Sequence, residues 1–74
     1  MLALDYAGAN EKGQAFDVFT RQGAYAGLIV ERYGKGCKVY FNRSCTRGSA
    51  RTFPDVHAAA DYIIARRIKK GWRV

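Results

Sequence analysis

Residues 25–42 read YAGLIVERYGKGCKVYFN. The first half, Tyr25 to Tyr33, centres on Leu28, Ile29 and Val30 and carries aromatic and β-branched side chains that favour extended backbone. Gly34-Lys35-Gly36 then reads as a tight turn, because glycine takes positive φ without steric cost. Cys37 to Asn42 alternates in polarity and returns as the next strand. This hairpin commits the chain to an antiparallel sheet. Alternation along the strands assigns Leu28, Val30, Val39 and Phe41 to the face a helix would cover. Tyr25, Ile29, Tyr33, Lys38, Tyr40 and Asn42 are assigned to the opposite, open face.

Upstream, Ala15 to Thr20 is strand-like, and Arg21 to Ala24 supplies a turn. Ala7 to Gly13 (AGANEKG) is rich in turn residues and is predicted as a loop. Leu2, Leu4 and Tyr6 alternate as either a short strand or an ordered arm. Downstream, Arg43 to Gly48 forms a polar, basic loop, and Ser49 to Phe53 is predicted as a short edge strand. Pro54-Asp55 opens a helix, with Asp55 as the N-cap whose carboxylate accepts from orphan backbone N–H groups. The helix is predicted from Val56 to about Lys70. Val56, Ala59, Ala60, Ile63, Ile64 and Ile68 form its apolar stripe, and Gly71 is its C′ stop. Arg67 interrupts the stripe, which implies that the last turn overhangs the sheet edge. Trp72 is expected at the rim of the core. The predicted fold is α+β: an antiparallel β-meander of three to five strands with one C-terminal helix packed on one face.

The 74 residues are enough for one domain, spanning 1–74, and at this size the core is thin. Apolar residues make up 49% and aromatics 14%, which excludes a disordered chain. No apolar run reaches the length of a membrane span, and the first residues, MLALD, lack the basic leader of a secretory signal. The expectation is a cytoplasmic protein without membrane association. Cys37 and Cys45, eight residues apart, are expected as reduced thiols. With His57 the lone histidine, the residues offer no zinc ligand set, and no other cofactor is implied. Paired carboxylates and a nucleophile–base arrangement are also unreadable, so a non-enzymatic role is expected.

Charge is the most informative feature. The net charge is +7, but residues 1–31 carry a net of −2 and residues 32–74 a net of +9. A field so uneven attracts nucleic acid or an acidic protein surface. The candidate contacts are Arg32, Lys38, Tyr40, Arg43, Arg47 and Arg51 on or beside the open sheet face. Arg66, Lys69 and Lys70 at the helix end form a second group. Cations neutralise phosphates and aromatic faces stack bases or sugars. Tyrosine with arginine also suits a homodimer or a protein interface. Lysine and arginine at a helix C-terminus additionally complement the helix dipole.

Tyr25 to Lys70 resembles the small three-stranded-sheet-plus-helix DNA-binding domains of the ethylene-response-factor type and the arm-binding domains of phage integrases. The resemblance rests on the strand-ending Phe53, the capping Asp55 and the alanine-rich helix start that includes Tyr62. It implies DNA reading by the exposed sheet face, with Arg32, Lys38, Tyr40 and Arg51 nearest the duplex. In size and plan the chain also resembles small proteins carried by phages and plasmids, including anti-CRISPR proteins. That likeness implies a second reading, an inhibitor that docks its basic surface on an acidic or nucleic-acid-binding site of a host protein complex.

Overall fold

The computed structural model describes residues 3–74. Four antiparallel strands lie side by side in chain order: β1 (Ala3–Asn10), β2 (Gly13–Phe19), β3 (Tyr25–Arg32) and β4 (Gly36–Tyr40). One helix, α1 (Val56–Lys69), follows and rests on β3 and β4. The α+β meander with its C-terminal helix is therefore as expected, with four strands. Leu2 lies outside the described residues, while Leu4 and Tyr6 belong to β1.

Three local expectations are corrected. The AGANEKG stretch is not a loop, because β1 continues to Asn10 and only Glu11 and Lys12 turn the chain. The Asn10 side-chain oxygen accepts from the backbone N–H groups of Lys12 and Gly13 at 2.8 and 3.2 Å and closes the hairpin locally. A register shift between Tyr6 and Gly8 absorbs the small residues inside the strand.

Ser49 to Phe53 is not a strand either. Gly48 and Phe53 make single bridges to Tyr40 and Cys37 along the outer edge of β4. Between them the Ser49 hydroxyl accepts from the Arg51 N–H at 3.1 Å, and this local bond diverts the chain from a continuous ladder. The edge of β4 is thus partly closed by the 41–53 segment, whereas β1 is the free edge of the sheet.

The third correction concerns the two sheet faces. Arg32 pairs with Gly36, so three residues form the turn, and Leu28, Ile29 and Val30 face Tyr40, Val39 and Lys38 respectively. Ile29 therefore points to the helix side with Val39, and Leu28 and Val30 lie on the open side with Lys38 and Tyr40. A three-residue turn pairs odd positions of β3 with odd positions of β4, and directly paired residues share a face, so the expected grouping of Leu28 and Val30 with Val39 is out of step by one residue. Val18, Ile29, Cys37 and Val39 are fully buried, and Phe53, Ala59 and Ile63 close the same core. Phe41, Val56, Ala60 and Tyr62 pack around it.

The helix begins where the sequence places it. Asp55 is extended, and its carboxylate accepts from the Ala58 N–H at 2.8 Å. Ala59 and Ile63 are its buried residues. Ile68 was expected on the same stripe but is 62% exposed, in keeping with a last turn that has left the sheet. The C-terminus closes with Gly71 at φ +74°. Its N–H donates to the Ile68 carbonyl at 3.0 Å, and the Trp72 N–H reaches the Arg67 carbonyl at 2.8 Å. This paired pattern is the Schellman motif, which needs glycine at the left-handed position.

Candidate functional site

The strand order turns the charge asymmetry of the sequence into a spatial one. β4, the 41–53 segment and α1 occupy one side of the domain and come from the half of net charge +9. β1 and β2 lie at the other side, in the half of net charge −2. Among the described residues the only ion pair joins Arg43 Nε to Asp17 Oδ1 at 3.7 Å. The remaining arginines and lysines have no carboxylate partner within bonding distance.

The candidate residues do not form one cluster. Arg32 ends β3, beside the β3–β4 turn and Pro54, at the opposite end of α1 from Arg66 and Lys70. Lys38 and Tyr40 lie on the open face of β4, and Asp17 lies on the same face two strands away on β2, in line with Leu28 and Tyr40. The ring of Tyr40 packs beside Gly48, where an added Cβ would stand 2.8 Å from Tyr40 Cδ1. The loop therefore leans on Tyr40, which is half-buried rather than a free platform.

Arg43 reaches back over the sheet. Its guanidinium lies 4.9 Å from the centre of the Tyr25 ring while pairing with Asp17. The Tyr25 hydroxyl is buried with no hydrogen-bond partner. Burial, and secondarily the Asp17 carboxylate, push the Tyr25 phenol above its ordinary value, with Arg43 opposing the shift. Arg43 thus has an intramolecular task before any ligand arrives.

Asn42 organises the loop that carries Arg47. Its side-chain oxygen accepts from the N–H groups of Thr46 and Arg47 at 3.1 and 3.2 Å, and its amide donates to the Thr46 hydroxyl at 2.6 Å. The Phe41 N–H bonds the Arg47 carbonyl at 2.7 Å, tying the loop to the end of β4. The Arg47 side chain is left exposed.

The densest alternation of cations and aromatics follows the seam between α1 and β4, rather than the open sheet face. Arg51 lies over Phe53 and Tyr62, at 5.4 and 5.9 Å from the ring centres. The Tyr62 ring packs on Phe53 at 4.9 Å and near Phe41 at 6.5 Å. Arg66 stacks over Phe41 at 3.9 Å and stands 5.5 Å from Trp72. Arg67 and Lys70 lie 5.5 and 5.1 Å from the same indole. Tyr62, Ala65, Arg66, Lys69 and Lys70 line a shallow groove along this flank.

The structure therefore associates Arg51 and Arg66 with one aromatic row and places Lys69 and Lys70 beside it. Phe41, Phe53 and Tyr62 were not singled out from sequence as part of a site. The four-residue spacing of Tyr62 and Arg66 was a usable signal, since it puts both on one helix flank.

Both thiols are free, Cys37 in the core and Cys45 on the loop surface. Among the described residues no three His, Cys, Asp or Glu side chains converge as a metal site would require. Among the same residues no helix is long and apolar enough to cross a membrane. Compared with protein-family models, curated proteins and solved structures, the chain matches none.

Proposed function

We propose that this chain is a non-enzymatic nucleic-acid-binding module that engages the phosphate backbone with its β4 and helix side. The observation that carries the reading is the segregation of unpaired cations onto that side, opposite an acidic β1–β2 edge. Unpaired surface cations release condensed counterions when they meet phosphates, and this release drives binding. The proposed contacts are Lys38, Arg47, Arg51, Arg66, Lys69 and Lys70. Arg43 is committed to Asp17 and Tyr25, and Arg32 stands beside the start of α1, away from Arg66 and Lys70, so neither is included. The two free thiols suit a reducing compartment such as the cytoplasm.

The test is a polarisation titration of labelled single-stranded and duplex DNA and RNA at two salt concentrations. The expected result is binding whose log K falls linearly with log salt. Absence of binding to every nucleic acid at low salt overturns the reading. An acidic protein surface is the competing partner, favoured by the arginine–tyrosine composition of the seam. A specific protein captured from nuclease-treated lysate, together with no nucleic-acid affinity, is the outcome that selects it.

A further inference from the structure

Trp72 occupies a position that usually completes a helix cap by packing into the core. In a Schellman motif the residue after the C′ glycine commonly makes an apolar contact with the third or fourth residue from the helix end. Here those residues are Arg67 and Arg66, so the indole meets two guanidinium groups in place of a hydrophobic patch. Lys70 supplies a third cation at 5.1 Å from the ring centre. The indole remains 48% exposed. Its backbone is nevertheless held, because its N–H bonds the Arg67 carbonyl and Gly71 fixes the turn before it.

Three positive charges without a carboxylate partner repel one another around one partly exposed aromatic ring; Arg67 Nε donates to the Arg73 carbonyl at 2.6 Å, which leaves its terminal guanidinium nitrogens for a ligand, and ring attraction offsets little of the repulsion at a solvated site. A ligand that supplies phosphates to the cations and a flat apolar surface to the ring relieves both. A nucleotide with an unstacked base has both features. In a duplex the base faces are hidden by their neighbours, so only a single strand can offer one. The row continues from Trp72 through Arg66 and Phe41 to Tyr62 and Arg51. The helical rise from Tyr62 to Lys69, where α1 ends, is roughly 10 Å, room for more than one phosphate of a strand.

On the basis of the nucleic-acid reading above, we propose that Trp72 is a base-stacking platform for single-stranded nucleic acid. Arg66, Arg67 and Lys70 hold the flanking phosphates. Trp72 is the only tryptophan in the chain, so its emission reports this site alone.

Titration with an unlabelled oligothymidylate is expected to quench Trp72 emission. A polyphosphate chain, which has the charge without the bases, is expected to leave the emission nearly unchanged, as is a blunt duplex. By polarisation, Trp72→Ala is expected to weaken binding of the single strand roughly 5- to 150-fold, with its salt slope intact. Arg66→Ala is expected to lower that slope by about one counterion. Circular dichroism confirms that both variants are folded.

If polarisation shows salt-dependent binding but the emission does not move and Trp72→Ala binds like the parent, the platform is refuted and the general reading survives. Equal quenching by polyphosphate also refutes stacking and leaves a phosphate site. Loss of all nucleic-acid binding at low salt removes both. If polyglutamate alone quenches and binds, the site takes an acidic peptide and the proposal fails.

Discussion

Ile63 of α1 sits directly over Gly27 of β3. A Cβ built at Gly27 would stand 3.6 Å from Ile63 Cδ1 and 2.8 Å from the carbonyl oxygen of Tyr40. The helix therefore docks on nearly bare backbone, and this approach buries Ile63 to 1% exposure. Ile63→Ala is expected to cost about 2–5 kcal/mol, much of what a domain of this size has. Gly27→Ala is expected to cost about 1–3 kcal/mol by overpacking against a backbone oxygen that cannot swing away. Ile68→Ala is the matched control, since Ile68 is 62% exposed and its truncation should stay within about 0.5 kcal/mol. Urea unfolding of the three variants ranks them, and equal losses at Ile63 and Ile68 would contradict this docking.

Tyr25 gives a prediction of opposite sign. Its buried hydroxyl makes no hydrogen bond of good geometry, and the nearby Asp17 and Arg43 side chains offset only part of the desolvation of that group in the folded state. Tyr25→Phe is expected to be neutral or stabilising. The raised phenol pKa adds a pH dependence. Above pH 10, the ordinary value, the unfolded chain loses the Tyr25 proton while the folded protein retains it, so rising pH favours unfolding. The Tyr25 contribution is fully present below that pH and is lost as pH climbs through the folded value. Stability measured from pH 9 to 11 should fall more steeply in the parent than in Tyr25→Phe. Parallel curves would show that the ring is not desolvated.

The two cysteines should react as differently as their positions imply. Cys37, the second residue of β4, is fully buried, and burial raises its thiol above the ordinary value, with Glu31 and Asp55 adding to the shift. Cys45 is exposed on the loop. A thiol-specific reagent at pH 8 is expected to modify one cysteine in the native protein and both in denaturant, with mass spectrometry placing the native label on Cys45. Prompt native labelling of Cys37 would mean that β4 opens readily.

The parts of the fold legible in the sequence are those set by local chemistry. Asp55 and Gly71 bracket a helix because each satisfies a particular set of orphan backbone groups, and both are visible as residue types. The sheet faces were less legible. Tyr33-Gly34-Lys35 and Gly34-Lys35-Gly36 are equally acceptable turns and differ by a two-residue slide of β4 along β3, but either one pairs residues of like parity, so Ile29 and not Leu28 shares a face with Val39. The candidate site was hidden for a different reason. The sequence shows where cations are dense, but the Arg51–Tyr62 and Arg66–Phe41 contacts join residues 11 and 25 positions apart, and only tertiary packing brings them together.

The same packing separates a defined interface from a merely positive protein. Lys12 lies in the β1–β2 turn and is exposed, and its removal lowers the net charge by the same single unit as removal of Lys69 or Arg51. Were binding a response to net charge alone, all three alanine variants would lose affinity alike. Placement of the unpaired cations on the β4 and helix side implies an unequal result. Arg51→Ala and Lys69→Ala are each expected to reduce the magnitude of the salt slope by about 0.7–0.9, the counterion released per phosphate contact. Lys12→Ala and Arg32→Ala, at the end of the sheet away from the last turn of α1 and outside the aromatic row, are expected to leave it unchanged. Exposed charges contribute little to folding, so thermal unfolding of all four should match the parent within a few degrees. Affinity titrations at three or more salt concentrations give the slopes. Equal slopes across the four variants would mean that the seam beside α1 has no special claim on the ligand.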